Sequence, residues 1–282
     1  MGEPHAAIGA TDVGPVDVTD IGLGPIRLGA MLFTLIEPHR EHVVAYNRWY
    51  ERDHLYAGCT VGPYNFAARR WVAPRRLKEL RHVGDDTVAT DPMLGSYLSL
   101  YWLLDGWVQE WNRWAFREFR WLHESGRMFP HRDHVHTLLY THDRAHYRDD
   151  DPVPASLALD HPFPGLAVVV GTAADGDRAA FDAWTADELV PALQGEGSPV
   201  AMTLSFTGVP LQVEAKDVAQ DDGGDGRFLH LHFLDVDPGE VWADTVGRVP
   251  DLVSDAGAGT VSWAGPFIPT VPGTDRYTDE LW

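Results

Sequence analysis

The strongest constraint on the fold is an order of predicted elements that occurs twice along the chain. Compact apolar runs that end at Pro or Gly predict strands, and apolar residues at three- and four-residue steps predict helices. The first set comprises strands Met31–Ile36, Tyr64–Val72, Ser96–Leu104 and His134–Thr141 and helices His39–Tyr56 and Asp105–Glu124. The second set comprises strands Leu166–Thr172, Val200–Gly208, Phe228–Val236 and Thr260–Phe267 and helices Asp177–Leu193 and Gly239–Val253. Each set reads strand–helix–strand–strand–helix–strand, and Gly58 is expected to stop the first helix.

The first helices of the two sets can be compared residue by residue. When YNRWYERDHLY (residues 46–56) is laid over FDAWTADELVP (residues 181–191), the leading aromatic residue and the Trp at the fourth position coincide. His54 of the first segment then falls on Leu189 of the second. The match indicates an internal duplication in which the second copy has lost its imidazole.

The element order predicts an α+β fold built from two tandem ferredoxin-like (βαββαβ) units. Two helices cover one face of each sheet and leave the other face bare, so the bare apolar faces are expected to pack sheet to sheet as a dimeric α+β barrel. A homodimer of the whole chain is a further expectation. The predicted divisions are an N-terminal arm (1–26), a first, functional unit (27–150), a linker (151–164), a degenerate second unit (165–270) and a C-terminal tail (271–282).

The charge distribution excludes several classes of partner. The chain has 22 basic and 42 acidic side chains and a formal net charge of −20. Such a surface argues against binding to nucleic acid or to an anionic membrane, because both interactions need clustered Lys and Arg. Residues 1–150 hold 17 basic and 20 acidic groups, whereas residues 151–282 hold 5 and 22, so the cations concentrate in the first unit. With no targeting signal and no apolar run long enough to span a bilayer, a cytoplasmic location is expected.

The segment Tyr46–Leu55 (YNRWYERDHL) carries a pattern of aromatic-x-x-Trp-Tyr-x-x-acid-His-aliphatic. This pattern resembles the first-helix signature of the EthD-like branch of the dimeric α+β barrel superfamily, and SYLSLYWL resembles the third strand of those proteins. The resemblance implies the barrel fold and a functional role for His54. The wider superfamily includes polyketide cyclases, cofactor-free monooxygenases, dehydratases, lactone isomerases and haem enzymes, so the resemblance implies no single reaction.

His54 is the first candidate catalytic residue, and Asp53, beside it in sequence, is a second. It shares a helix face with apolar and aromatic side chains, and an imidazole can act as an acid or a base near neutral pH. The alternative is a structural histidine that binds a backbone carbonyl.

A dense aromatic set surrounds the candidate histidine in the first unit. Its members are expected either to form core or to bind a flat hydrophobic ligand. Tyr97 and Tyr101 share a strand face, and the Tyr101 hydroxyl is a candidate catalytic donor to a developing oxyanion. The residues proposed to bind substrate are Tyr46, Trp49, Tyr50 and Tyr97.

Two pairs of histidines stand two residues apart on predicted strands. His134 with His136, and His230 with His232, are each expected to share one strand face. The first pair is assigned to substrate binding, and both pairs are candidates to line the barrel interior. Neither pair is accompanied by a third ligand at a sequence spacing typical of metal sites, so no metal site is predicted.

Arg69 and Arg70 must point to opposite sides of their strand. One guanidinium would therefore enter a buried layer and need a carboxylate. Arg69 is assigned to substrate binding as a carboxylate clamp, with a structural ion pair as the alternative.

The chain lacks the motifs of nucleotide-binding and common hydrolytic enzymes. It contains no P-loop, no Rossmann glycine pattern, no HExxH and no GxSxG. A single cysteine, Cys59, excludes an intrachain disulfide, and no imidazole partner is implied for it as a nucleophile. The acidic run at residues 221–226 (DDGGDG) lacks the spacing of a calcium loop.

These features favour a cofactor-independent enzyme that acts on a small hydrophobic metabolite of the polyketide, aromatic or terpenoid type. Proton transfer by His54 would drive cyclisation, dehydration or isomerisation. The alternatives are a cofactor-free monooxygenase and a non-catalytic protein that binds a hydrophobic ligand. Titratable groups with shifted pKa values around His54 would favour the enzyme.

Overall fold

The computed structural model describes residues 26–84, 88–209 and 226–282. The strands of the first unit are β1 (Leu28–Pro38), β2 (Asn65–Val72), β3 (His82–Val83), β4 (Tyr97–Leu104) and β5 (Arg132–Tyr147). Those of the second unit are β6 (Gly165–Ala173), β7 (Val200–Val209), β8 (Arg227–Leu234) and β9 (Gly259–Pro269). The predicted arm (1–26) and the acidic run (221–226) lie, except for their last residues, outside the described residues.

Helices follow the predicted strands but are more interrupted than the sequence pattern suggests. In the first unit they are α1 (Val43–Trp49), two π-helical segments (Tyr50–His54 and Tyr56–Thr60), α2 (Arg75–Lys78) and α3 (Val108–Glu124). In the second unit they are α4 (Arg178–Trp184), a π-helical segment (Thr185–Leu189), α5 (Val190–Leu193), α6 (Pro238–Val241) and α7 (Val249–Asp255). No helix within the described ranges is long and apolar enough to cross a membrane.

The strands form one antiparallel sheet that closes on itself. Their order is β2-β4-β1-β5-β7-β8-β6-β9-β3, and an additional pairing joins β2 to β9. β1 lies between β4 and β5, and β6 lies between β8 and β9, which is the ferredoxin-like order in both units. The two-residue β3 stands outside this order and pairs with β9. The predicted fold of two tandem ferredoxin-like units in one α+β barrel is therefore confirmed.

The apolar inner face of the closed sheet fills the barrel. Phe33 and Trp102 of the first unit are fully buried with Phe206 and Phe233 of the second in one continuous core. Trp102 lies 6.1 Å from Phe206 between ring centroids. The barrel interior is thus a packed core that joins the two units.

The internal duplication is visible in the backbone of the first helices. Helices α1 and α4 each have seven residues, and each continues into a five-residue π-helical segment at the position given by the sequence match. Tyr46 and Phe181 occupy equivalent buried positions. Each packs against the Trp three residues later at an interplanar angle of 43°.

Three element predictions need correction. Gly58 does not stop the first helix, since the π-helical turn continues to Thr60. The predicted helix Gly239–Val253 is broken into pieces because Thr245 leaves helical geometry (φ −126°, ψ −114°) and Pro250 starts a new helix. Strand β8 ends at Leu234, two residues before the predicted end.

The C-terminal segment packs on the first unit. Asn47 donates a hydrogen bond to the Thr274 carbonyl at 2.9 Å, and Glu51 accepts one from the Gly273 amide at 2.9 Å. Leu281 is fully buried. This segment therefore braces the helix that carries His54.

Candidate functional site

A cavity of about 120 Å³ lies between the first-unit sheet and the helices that cover it. Its floor is the outer face of β1 and β5, and its walls are the π-helical segments and α3. Most of the lining is apolar, including Leu32, Ile36, Trp111, Phe119 and Leu122. The polar groups that reach the cavity are His54, Tyr50, Cys59, Tyr101, Asn112, Arg132, His134, Thr34 and Thr137.

The imidazole of His54 is fixed by contacts on both sides. It stacks on the Trp49 indole with a centroid distance of 4.4 Å and an interplanar angle of 18°. A Cβ on Gly58 would lie only 2.8 Å from its Cε1 atom and 3.0 Å from Nδ1, so only glycine leaves room for the ring. Tyr50 meets the ring edge to face at 5.2 Å.

His54 is neutral at physiological pH. Burial lowers its pKa from 6.5 to about 3, and the positive charges of Arg132 and His134 act in the same direction. The Nδ1 atom is buried without a hydrogen-bond partner. A neutral imidazole in this position can accept a hydrogen bond or a proton from a ligand, although a pKa of about 3 makes it a weak base, and its one N–H is too weakly acidic for it to act as an acid.

Asp53 does not hydrogen-bond to His54, although the two residues are adjacent. Its carboxylate forms an ion pair with Arg127, and it is absent from the cavity lining. Successive residues on a helix point about 100° apart, which accounts for the separation.

Two tyrosines and the cysteine form a buried polar cluster at the cavity wall. The hydroxyls of Tyr50 and Tyr101 lie 2.5 Å apart. Burial raises the pKa of both tyrosines, and it raises the pKa of Cys59 to about 12. These groups therefore remain protonated and can serve as neutral donors, while Cys59 is not a thiolate nucleophile.

The expectation that His134 and His136 share a face is wrong. The register of β5 shifts at Val135, so that His136 lies opposite Leu35 and His134 opposite Ile36. This β-bulge sends the two imidazoles to opposite faces. His134 reaches the cavity, with Nδ1 3.0 Å from the Thr137 hydroxyl.

His136 instead lies in the barrel core. Its Nε2 atom is 2.7 Å from the Tyr140 hydroxyl, and its ring meets Phe33 edge to face at 5.7 Å.

His230 and His232 do share a face, but it is not the barrel interior. Both are fully buried between the second-unit strands of the sheet and the helices that cover them, where His230 lies 5.7 Å from the ring of Phe181. His232 Nδ1 is 2.9 Å from the Thr203 hydroxyl. Within the described ranges, no group of three His, Cys, Asp or Glu residues could hold a metal ion.

The remaining predicted aromatic residues lie behind the cavity wall. Tyr46 and Tyr97 are buried with ring centroids 5.6 Å apart, and burial raises the pKa of both. Trp49 backs His54 and donates from Nε1 to the Arg127 carbonyl at 2.8 Å. These three support the site without lining it.

The two neighbouring arginines of β2 separate as predicted. Arg70 is buried, with Nη1 3.1 Å from the Glu51 carboxylate and the guanidinium 4.5 Å from the Tyr50 ring centroid. Arg69 lies on the other face, where it donates to the carbonyls of Leu159 and His161 in the linker. The structure therefore does not bring Arg69 to the His54 cavity.

A second, larger pocket adjoins the cavity. Met128, Arg132 and His134 line both spaces, and the second pocket has a volume of about 610 Å³.

Sequence reasoning did not select Gly58, Asn112, Met128 or Arg132 as site residues. A glycine four residues after a helical histidine was a usable signal for Gly58, because residues i and i+4 meet on one helix face. Asn112 lies on α3, Met128 on the loop after it and Arg132 at the start of β5. No local sequence pattern shows that these three elements meet at the cavity.

Comparisons with known proteins give the fold and no closer relationship. No protein-family profile matches the chain, and no curated protein matches its sequence. Among solved structures it is similar to a protein named as a chlorite dismutase, with a TM-score of 0.50, 10% identity and coverage of 91% of this chain and 100% of that one. An anthrone oxidase-like protein gives a TM-score of 0.47, 11% identity and coverage of 88% and 95%.

A dye-decolorizing peroxidase from Bacteroides thetaiotaomicron VPI-5482 gives a TM-score of 0.46, 10% identity and coverage of 90% and 95%. At such identities the likeness concerns the ferredoxin-like α+β barrel and does not extend to the reaction.

A haem group, which some proteins of the resembled superfamily bind, does not fit the His54 cavity. Cavities of ~150 Å³ hold a single benzene molecule, whereas a porphyrin is several times larger. The space of about 120 Å³ beside His54 is therefore too small for it.

Proposed function

We propose that the chain is an enzyme that moves a proton on a small, largely apolar organic molecule, with His54 as the base and no organic cofactor. The observation that carries the proposal is the Nδ1 atom of a neutral His54, buried without a partner at the wall of an apolar cavity. The signature residues Trp49, Tyr50 and His54 meet at this wall, which supports membership of the EthD-like branch.

The proposed step begins with a substrate C–H or O–H bond next to His54. The imidazole accepts the proton, and the electron pair left behind is delocalised onto a substrate oxygen. Burial holds Tyr50 and Tyr101 protonated; one hydroxyl of this hydrogen-bonded pair donates to that oxyanion, while the other donates to its tyrosine neighbour. The apolar walls exclude water, so the new imidazolium and the oxyanion stabilise each other.

The proton then returns to a different atom of the substrate or assists loss of a leaving group. Isomerisation, cyclisation and dehydration all follow from this sequence. The role of Asp53 as a catalytic residue is not part of the proposal, because its carboxylate is bound to Arg127.

A cofactor-free monooxygenase is the second candidate. The same neutral base would deprotonate an electron-rich phenol, and the phenolate would reduce molecular oxygen, with one oxygen atom retained in a quinone product and the other released as water. The four shifted groups at the cavity, His54, Tyr50, Tyr101 and Cys59, favour either enzyme over a simple binding protein.

Proton transfer can be measured without knowing the natural substrate. In D₂O, the wild-type protein is expected to catalyse deuterium incorporation into members of a panel of monocyclic ketones, lactones and phenols, followed by NMR. His54→Gln, which keeps a polar side chain of similar size, should slow this exchange by ~10²–10⁴-fold, the usual contribution of a general base.

His131→Gln, the same change at an exposed histidine outside the cavity lining, is the matched control and should leave exchange unchanged. Equal exchange by wild type and His54→Gln in a folded protein would remove the proton-transfer role. Oxygen consumption measured in the same samples separates the monooxygenase from the other reactions.

A further inference from the structure

We propose that Tyr50 donates the hydrogen bond to the substrate oxyanion, and that Tyr101 and Ser99 are positioning residues that direct the Tyr50 proton into the His54 cavity. This inference rests on the proposed function, because it decides which hydroxyl of the tyrosine pair contacts the reacting atoms.

Tyr50 lies directly beside the base. It precedes His54 by four residues on one helical stretch, so the two side chains share a face. Their rings meet edge to face with centroids 5.2 Å apart. Tyr101 reaches the cavity from a different element, strand β4. An oxyanion that forms when His54 removes a proton therefore arises next to Tyr50.

The Tyr50 hydroxyl has two hydroxyl neighbours. That of Tyr101 lies 2.5 Å away, and that of Ser99 hydrogen-bonds to the same oxygen. None of the three residues is more than 2% exposed. A hydroxyl has one proton and two lone pairs. When Tyr101 and Ser99 both donate, they occupy both lone pairs of the Tyr50 oxygen and leave its proton for a ligand.

These neighbours make Tyr50 the stronger donor of the pair. A hydroxyl donates more strongly when its own oxygen accepts hydrogen bonds, because the bonds of a chain polarise one another. Tyr50 accepts from two hydroxyls. In the same role, Tyr101 would accept from Tyr50 and from the thiol of Cys59, and a thiol is a weak donor.

The buried charge of Arg70 acts on the same tyrosine. Its guanidinium lies 4.5 Å from the Tyr50 ring centroid. Burial raises the pKa of both tyrosines, but for Tyr50 the two hydrogen bonds from neighbouring hydroxyls and the charge of Arg70 oppose the rise. For Tyr101, the contacts with Cys59 and Tyr50 add to the rise in pKa. Tyr50 is thus the hydroxyl that stabilises a neighbouring anion better.

The test uses 4-fluorophenol, a single-ring probe whose fluorine NMR signal reports binding. Its affinity is measured at alkaline pH, where it is a phenolate, and at neutral pH, where it is a phenol. The ratio of the two affinities measures how well the site stabilises an oxyanion, whereas a general change in the cavity affects both forms. Tyr50→Phe should lower this ratio by ~10–100-fold, the usual contribution of a hydrogen bond to a charged group.

The positioning residues are tested with the same ratio. Tyr101→Phe and Ser99→Ala should each lower it by a smaller factor than Tyr50→Phe, because Tyr50 keeps its hydroxyl and loses one supporting bond. In deuterium exchange, Tyr50→Phe should lower kcat by ~10²–10³-fold with little change in KM, as expected for the loss of one donor to an oxyanion.

Tyr56→Phe is the matched control. It removes a hydroxyl from a side chain that is 55% exposed and outside the cavity lining, so it should keep the wild-type ratio. Circular dichroism confirms that each variant is folded. A loss in Tyr101→Phe equal to or larger than that in Tyr50→Phe, or an unchanged ratio in Tyr50→Phe or Ser99→Ala, would each overturn the proposal.

His54→Gln separates this inference from the proposed function. In that background Tyr50→Phe should still lower the ratio of phenolate to phenol affinity, because the donor does not depend on the base. Unchanged deuterium exchange in His54→Gln together with a persistent effect of Tyr50→Phe would refute the base and leave the donor standing. Loss of exchange in His54→Gln with equal ratios in wild type and Tyr50→Phe would do the reverse.

Discussion

The contact between Gly58 and His54 shows how a residue without a side chain can hold a reactive one. The ring of His54 is confined between the Trp49 indole and the backbone at position 58. A methyl group at position 58 cannot coexist with the present ring position, because the Cβ would lie 2.8 Å from Cε1.

Gly58→Ala is therefore expected to destabilise the protein by about 1–3 kcal/mol through overpacking and to lower deuterium exchange by more than tenfold. In a His54→Ala background the same change should cost nothing, since the methyl group then has room. Urea denaturation of the four proteins of this double-mutant cycle gives the coupling between the two residues.

Gly195→Ala is the matched control, because its added Cβ would meet only the Pro191 carbonyl at an ordinary 3.7 Å. A cost of Gly58→Ala that persists in the His54→Ala background would show that the glycine serves the helix backbone instead of the imidazole.

Buried neutral histidines also set the response of the protein to acid. Burial lowers the pKa of His232 from 6.5 to about 3, with a smaller contribution from His146. As the pH falls below 6.5, His232 binds a proton in the unfolded chain but stays neutral in the folded protein. The stabilisation linked to His232 is therefore complete above pH 6.5 and is lost progressively toward pH 3.

Between pH 6.5 and pH 5 this loss amounts to about 2 kcal/mol for one such histidine. His232→Leu should reduce the difference between the free energies of unfolding at pH 7 and pH 5 by that amount, measured in urea. His131→Gln, at an exposed position, should leave the difference as in wild type. If His232→Leu showed the same difference between the free energies of unfolding at pH 7 and pH 5 as wild type, groups other than His232 would cause the acid sensitivity.

At the scale of elements, periodicity predicted which segments are strands and helices but not their irregularities. The strands and the first helix were predicted because apolar side chains at period two or 3.6 must face a core. The π-helical turn at Tyr50–His54 leaves no such trace, although it decides where the imidazole lies.

The bulge at Val135 had the larger consequence for the site. One extra residue in β5 reverses the facing of every side chain beyond it, and it separated His134 from His136. A bulge is set by pairing with β1, a partner about 100 residues away in sequence, so the sequence of β5 alone cannot reveal it.

The sequence predicted only the part of the candidate site whose side-chain directions follow from local spacing. His54, Tyr50 and Tyr101 lie on one helix and one strand whose facing follows from local spacing, and they do reach the cavity. Whether Asn112 of α3 and Arg132 at the start of β5 reach the cavity depends on how α3 and the loop after it fold back over the sheet. Arg69 was placed correctly on a face opposite Arg70, but which face meets the cavity is a tertiary property.

The barrel as a whole closes through two unequal seams. Strands β5 and β7 pair from Leu139–Val209 to Tyr147–Met202, whereas β2 and β9 pair only at Trp71–Pro269 and Val72–Ile268. Proline has no N–H to donate, and β9 contains Pro266 and ends at Pro269. Beyond Pro269, the Thr270 N–H donates across the seam to the Arg70 carbonyl at 3.2 Å, so the second seam is short but does not end abruptly at the proline.

A short seam should open more readily than a long one, since local opening breaks fewer backbone hydrogen bonds. The strands to compare are β2 and β7, because each is the second strand of its unit and each has one partner within the unit and one across a seam. Peptides from β2 are expected to exchange amide hydrogens about tenfold faster than peptides from β7, measured by mass spectrometry under native conditions. Equal protection of the two strands would mean that the core and the braced C-terminal segment, rather than seam hydrogen bonds, hold the barrel closed.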